Sequence, residues 1–158
     1  MENSMSVSLE GIESDQYGRY VIPYKSKILE KEVFLTIPTD NGKIEEWQLT
    51  LANQFCEREE SLKEIVYRSI LAHYLNVADE LRLRFGEKYQ HLVPPVENVA
   101  QLKELLTPTG VYIGELEPTE EAIGLLFECT WEEEHGLGVL INNWVIKEVS
   151  HQDVAFTI

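Results

Sequence analysis

The period of the apolar residues changes along this chain near Gly110. Before that point apolar residues recur every three or four positions, which is typical of a helix with one buried face. After it they alternate with polar residues, which is typical of a strand with one buried face. The change predicts an α+β fold, in which a helical N-terminal half packs on a C-terminal antiparallel β-meander.

Two long helices are expected in the first half of the chain. In the first, Trp47, Leu51 and Phe55 recur every four residues and form one apolar stripe. The second begins at Ser61, which Glu64 follows three residues later. This spacing is that of a capping box, in which the two side chains bind amides that have no partner inside the helix.

Shorter elements flank these two helices. Residues 20–24 and 33–37 are rich in β-branched and aromatic residues and are expected to form strands. The second long helix is expected to stop at Gly86, and a break near Asn76 is compatible with its sequence. After a Pro-Pro linker, Asn98 is expected to cap a short helix.

The predicted meander has four strands joined by short turns. The strands are expected at residues 111–116, 123–131, 137–141 and 144–149, and the turns at residues 118–119, 132–136 and 142–143. In the last turn, asparagine tolerates the positive φ that a two-residue hairpin requires.

The composition is that of a globular protein with an excess of acid. Of 158 residues, 44% are hydrophobic, yet 28 acidic side chains against 13 basic ones give a net charge of -15. The apolar content argues against a disordered acidic chain, and the charge argues against binding to nucleic acid or to an anionic membrane. The expected partner is therefore a basic protein.

We expect no targeting segment and a single domain. Residues 1–18 contain neither a cationic leader nor an apolar run, so we expect a flexible lead-in followed by a single domain at residues 19–158. No segment approaches the roughly 20 apolar residues of a membrane-spanning helix. Two isolated cysteines, Cys56 and Cys129, fit buried reduced thiols, and the expected location is the cytoplasm.

Most of the net charge lies in the last third of the chain. Residues 104–158 hold 11 acidic side chains and one basic, and residues 104–146 contain no Lys or Arg. A solvated rim is the simpler interpretation for any single glutamate. For the whole segment we favour a binding surface, because unpaired charges of one sign steer an oppositely charged partner. The residues expected to bind that partner are Glu132, Glu133 and Glu134, with Glu120 and Glu121 as a second patch.

A string of glutamates that ends in histidine is the main candidate for metal chemistry. Glu134 and His135 could bind an ion together with His151 and Asp153 near the end of the chain. However, neighbouring residues on a strand face opposite ways, and the string lacks the i, i+4 histidine pair of zinc-protease helices. The sequence therefore predicts no bound metal and no other cofactor.

A structural interpretation fits the same string. Trp131 ends the apolar face of a strand, Gly136 supplies an unusual backbone angle, and Gly138 lets another segment approach. His73 is expected at the edge of the core rather than as a general base. Because neither cysteine has a cationic neighbour and no catalytic motif is present, the sequence does not indicate an enzyme.

The C-terminal third resembles an uncharacterised bacterial domain family with a W-x-x-E-H-G-x-G signature. Members of that family occur among candidate immunity proteins of polymorphic-toxin and contact-dependent-inhibition systems. The residues that carry the resemblance are Trp131, Glu134, His135, Gly136, Gly138, Asp153 and Ala155. Family members often have Asp in place of Glu132 and Gly in place of Ser150. The resemblance implies a single α+β domain with an inhibitory binding role, and no catalytic residue is carried over from the family.

These observations favour an acidic cytoplasmic binding protein. We expect an immunity protein that neutralises a cognate basic toxin domain, such as a nuclease, by blocking its active site. The alternative is a metal-dependent or otherwise uncharacterised enzyme that uses Glu134, His135 and Asp153. A structural or adaptor role is a third interpretation.

Overall fold

A mixed β-sheet and one long helix form most of the computed structural model, which describes residues 13–114 and 121–155. The strands are β1 (Arg19–Ser26), β2 (Lys31–Pro38), β3 (Leu106–Ile113), β4 (Ala122–Cys129), β5 (Glu132–Asn142) and β6 (Val145–Ser150). The helices are α1 (Glu46–Phe85), α2 (Tyr89–Leu92) and α3 (Val99–Lys103), and single 3₁₀ turns occupy Gly86–Lys88 and Gln152–Ala155. The strands lie side by side in chain order, and every pair is antiparallel except β2 with β3.

The predicted arrangement of a helical N-terminal half on a C-terminal meander is wrong. The first two strands belong to the same sheet as the last four, because β2 pairs in parallel with β3 and places Leu35 beside Val111. A parallel pair needs a long crossover connection, and α1 with the short helices supplies it. The strands β1 and β2 thus extend the meander instead of preceding a separate helical layer.

The two predicted long helices are one helix of 40 residues. It begins with a capping box between Glu45 and Gln48, where the Gln48 side chain accepts the Glu45 amide over 2.9 Å. Ser61 lies in the middle of α1 and donates to the Arg58 carbonyl, so it caps nothing. The predicted stop at Gly86 is confirmed, since Gly86 has a φ of 61° and follows the last helical residue.

Two further predictions about helices have clear outcomes. The break expected near Asn76 does not occur, because buried residues continue on the same stripe at Tyr74 and Ala78. The cap of the short helix is confirmed, since the Asn98 side chain accepts the Gln101 amide over 2.9 Å. No helix in the described residues is both long and apolar enough to span a membrane, α1 included.

A row of apolar side chains crosses the sheet beneath α1. Ile22, Leu35, Val111, Leu125 and Val139 are successive cross-strand neighbours from β1 to β5, and each is at most 2% exposed. The residues of α1 that pack into the same core are Leu51, Phe55, Leu62, Val66, Ile70, Tyr74 and Leu81. The strand period of two and the helical stripe therefore bury one common core.

The turns of the meander differ from the predicted ones. The β4–β5 hairpin turns at residues 130–131, and the expected turn at 132–136 lies inside β5. The β5–β6 hairpin turns at Asn143 and Trp144, one residue later than predicted, with φ of 52° and 68°. The expected turn at 118–119 lies outside the described residues.

Candidate functional site

A bulge at the start of β5 shapes the candidate site. Phe127 pairs with Leu137, whereas Cys129 pairs with Glu132, so the four residues 133–136 lie opposite Glu128 alone and β5 holds three extra residues. Gly136 lies in this bulge with a φ of 64°, an angle that favours glycine. The unusual backbone angle predicted for Gly136 is thus confirmed.

Two glycines let the segment after β6 cross β5 closely. A Cβ atom at Gly138 would lie 2.8 Å from the His151 carbonyl oxygen, and one at Gly136 would lie 2.7 Å from the Phe127 carbonyl oxygen. The Gln152 side chain fills this space and donates to that same Phe127 carbonyl over 2.9 Å. The close approach predicted at Gly138 is confirmed, and it fixes the position of His151.

This packing brings together Glu132, His135 and His151, which we call the Glu-His-His cluster. One ligand atom from each residue lies within 4.8 Å of the other two. Glu132 Oε2 lies 2.9 Å from His135 Nδ1 and accepts the His135 amide over 3.3 Å. The other carboxylate oxygen, Oε1, lies 3.6 Å from His151 Nε2. The two imidazole rings stack, with centroids 4.9 Å apart and planes 15° apart.

The cluster is partly open to solvent. The Glu132 side chain is 20% exposed, whereas His135 and His151 are both more than half exposed. Partial burial by itself raises the pKa of Glu132, but the hydrogen bonds from His135 and the charges of both histidines outweigh it and lower that pKa. Glu132 is therefore a carboxylate near neutral pH, held between two rings.

A cleft of about 210 Å³ lies between the Glu-His-His cluster and the C-terminal half of α1. His73, Arg84 and Trp131 line it together with Glu132 and His151. Burial, with a smaller effect from the charge of His151, lowers the pKa of His73 and favours its neutral form. Its half-buried position fits the core-edge histidine that the sequence predicts.

Carboxylates line a second cleft, of about 340 Å³. Glu104, Glu128 and Glu133 line it with the hydroxyl-bearing Thr107 and Thr130. We call the three glutamates and their surroundings the acidic cleft. The described residues that line it include no lysine or arginine. Glu104 follows α3, Glu128 lies next to the end of β4 and Glu133 lies next to the start of β5, so three separate parts of the chain contribute one charge each.

The predicted partner-binding glutamates in the described residues lie in two separate places. Glu132, Glu133 and Glu134 lie together at the start of β5, whereas Glu121, from the predicted second patch, directly precedes β4, about 26 Å away at roughly 3.3 Å per residue. Glu121 accepts a hydrogen bond from the Trp144 indole over 2.9 Å. Glu120 lies outside the described residues.

The proposed metal ligands are only partly those that the structure brings together. His135 and His151 meet, but the carboxylate between them is that of Glu132, while Glu134 is exposed. The side chain of Asp153 lies outside the described part. Glu132 was not predicted as the partner of His135, although it lies three residues before His135 and Gly136 follows directly.

The cysteines are placed as expected. Cys56 and Cys129 form no disulfide and are both buried in the core. Burial raises the pKa of the Cys129 thiol to about 12, so it is protonated at neutral pH. Neither position offers a reactive thiolate at the surface.

A family model for a domain of unknown function, DUF6985, matches residues 8–156. The chain belongs to this family. No curated protein and no solved structure matches the chain at a significant level. The match to the DUF6985 model spans β1 to β6, and it includes both the Glu-His-His cluster and the acidic cleft.

Proposed function

We propose that this DUF6985 protein is an acidic binding protein that captures a basic protein partner at the acidic cleft. The observation that carries the proposal is the convergence of Glu104, Glu128 and Glu133 on one cleft whose described lining holds no lysine or arginine. A lysine or arginine side chain from a partner would supply the missing positive charge. Hydrogen bonds between such a cation and a carboxylate are the strong, charge-assisted kind.

The charge of the whole chain supports the same proposal. The net charge is -15, and residues 104–158 carry two thirds of it. A field of one sign raises the rate at which an oppositely charged protein arrives, and the rate falls as salt is added. The acidic cleft is the point in the described residues at which this field meets a concave surface.

We propose further that the partner is a toxin domain and that the protein acts as an immunity protein in the bacterial cytoplasm. The resemblance of the C-terminal third to candidate immunity proteins supports this choice of partner. Nucleases bind phosphates in basic clefts, and an acidic surface can occupy such a cleft and exclude the substrate. In this proposal the protein blocks an active site and performs no catalysis.

The immunity proposal predicts that a gene beside this one encodes a toxin domain, and the test uses that domain. We expect the two proteins to co-purify and the triple variant E104Q/E128Q/E133Q to weaken binding at least tenfold, about 1.4 kcal/mol. Isothermal titration calorimetry at 50 and 300 mM NaCl measures both the affinity and its salt dependence. Growth of cells that express the toxin measures protection.

A matched control carries the same change of charge elsewhere. The variant E32Q/E57Q/E60Q neutralises three exposed glutamates outside the acidic cleft. We expect it to bind nearly as tightly as the native protein. Equal affinities for the two triple variants, or an affinity that does not depend on salt, would overturn the proposed cleft, and failure to protect cells would overturn the immunity role.

A further inference from the structure

We propose that the Glu-His-His cluster is a binding site for a divalent transition-metal ion, with Zn²⁺ as the best match. Glu132, His135 and His151 present two imidazoles and one carboxylate within 4.8 Å of one another. This donor set, with a fourth position left to water, is one that catalytic zinc sites use. The proposal concerns residues other than those of the acidic cleft, so it does not depend on the proposed function.

Two pairs of ligand atoms lie near the spacing that an ion requires, one through each oxygen of Glu132, and the stacked rings must tilt toward each other to share one ion. In a tetrahedral zinc site with bonds of about 2.1 Å, two ligand atoms lie about 3.4 Å apart. Glu132 Oε1 and His151 Nε2 are 3.6 Å apart, close to that value. Glu132 Oε2 and His135 Nδ1 are 2.9 Å apart, so this pair must open by about half an ångström, which rotation of an exposed ring allows.

The backbone holds the three side chains in place from two separate segments. The bulge that ends at Gly136 turns His135 back toward Glu132. The close contact at Gly138 and the hydrogen bond from Gln152 to Phe127 fix the segment that carries His151. Ligands held by packed backbone lose little freedom when an ion binds, which favours affinity.

The surroundings favour a cation. Three successive glutamates, Glu132, Glu133 and Glu134, begin β5. Glu132 and His151 also line the cleft beside α1, so a bound ion would lie at the edge of that cleft. A water molecule or a small anion in the cleft could then occupy the open fourth position.

Titration of the metal-free full-length protein with ZnCl₂ tests the site. We expect one ion per chain by calorimetry, and with CoCl₂ the visible absorption bands of a tetrahedral site. The variants E132Q, H135Q and H151Q should each lose at least tenfold in affinity, because each removes a ligand. The matched control is H91Q, since His91 is an exposed histidine outside the cluster.

Two further measurements distinguish the loss of a metal ligand from the loss of the fold. Far-UV circular dichroism without metal shows whether each variant is folded, and NMR follows the ring signals of the native histidines during the zinc titration. Selective shifts of His135 and His151 support the site even if a variant fails to fold. Absence of stoichiometric binding by the native protein, or equal affinity in the three cluster variants, would falsify the proposal.

Discussion

Among the described residues, Glu59 is the charged residue that lies completely buried in the core, at 0% exposure. Its carboxyl group accepts from the Tyr24 hydroxyl, from the Ser26 hydroxyl over 2.6 Å and from the Ile28 amide over 3.0 Å. All three donors lie on β1 or in the turn after it, whereas Glu59 lies on α1. Burial, with hydrogen bonds from the Tyr24 hydroxyl to Cys56 and Glu59, raises the pKa of Tyr24 and keeps it a donor. Hydrogen bonds to Glu59 therefore link the β1–β2 hairpin to α1.

Replacement of Glu59 by Ala should destabilise the protein strongly. Three buried donors would lose their acceptor, and an unsatisfied buried polar group costs about 1–3 kcal/mol. We expect a loss of about 3–5 kcal/mol in the free energy of unfolding, measured by urea titration. E59Q, which keeps one acceptor oxygen, should lose less, and the neighbouring exposed control E60A should change stability by under about 0.5 kcal/mol. A small effect of E59A would show that water replaces the carboxyl group.

The bulge of β5 is the element that determines the geometry of the Glu-His-His cluster. On a regular strand Glu132 and His135 would face opposite sides of the sheet, since side chains alternate. The three extra residues of the bulge break this alternation and let both side chains reach one point. The contact with the segment after β6 then adds His151.

Substitution of Gly138 by Ala should disturb this element without touching a cluster side chain. The new Cβ would lie 2.8 Å from the His151 carbonyl oxygen and 3.0 Å from the Gln152 Cα, both backbone atoms. We expect a loss of about 1–3 kcal/mol in unfolding free energy and a shift of the His151 NMR signals. S150A, at the residue paired with Gly138, is the control and should change neither. Unchanged His151 signals in G138A would contradict the role given to this glycine.

The sequence predicted individual elements better than their pairing. The strands after residue 105 were placed within a few residues because alternation is a local pattern. The pairing of Leu35 with Val111 produces no pattern in the nearby sequence, since α1 separates the two strands. The predicted packing of a helical half on a separate sheet was therefore wrong. The β4–β5 turn was misplaced for a related reason. The glutamates look like a turn, but the real one uses Trp131, which is only 3% exposed.

The candidate site was predicted in part for physical reasons. His135 and His151 were identified, but with Glu134 as their carboxylate, whereas the bulge brings Glu132 to them instead. The acidic cleft was not identified as such. Glu104, Glu128 and Glu133 come from three separate parts of the chain, and their proximity depends on the sheet order.

The whole molecule carries a net charge of -15, which acts against its own compact state. We expect the melting temperature to rise when NaCl is increased from about 10 to 500 mM, because salt screens the repulsion between carboxylates. A gain of about 1 kcal/mol corresponds to roughly 2–4 °C for a chain of this size. Differential scanning calorimetry in the presence of EDTA measures the shift.

The variant E104Q/E128Q/E133Q provides the comparison for this salt effect. It removes three charges that lie together, so its melting temperature should be higher at low salt and should rise less with NaCl. A melting temperature of the native protein that is insensitive to salt, or falls, would show that the carboxylates are compensated within the fold.

During synthesis, β2 cannot pair with β3 until β3 has been translated and has left the ribosome. Residues 35–109 lie between Phe34 and its register partner Gly110. At 5–20 residues per second, translation of that segment takes about 4–15 seconds. A two-stranded hairpin is at best marginally stable in water, and an unpaired strand edge is a template for aggregation. The β1–β2 hairpin is therefore the part of the nascent chain that most needs a chaperone, until α1 covers its apolar face and β3 closes its edge.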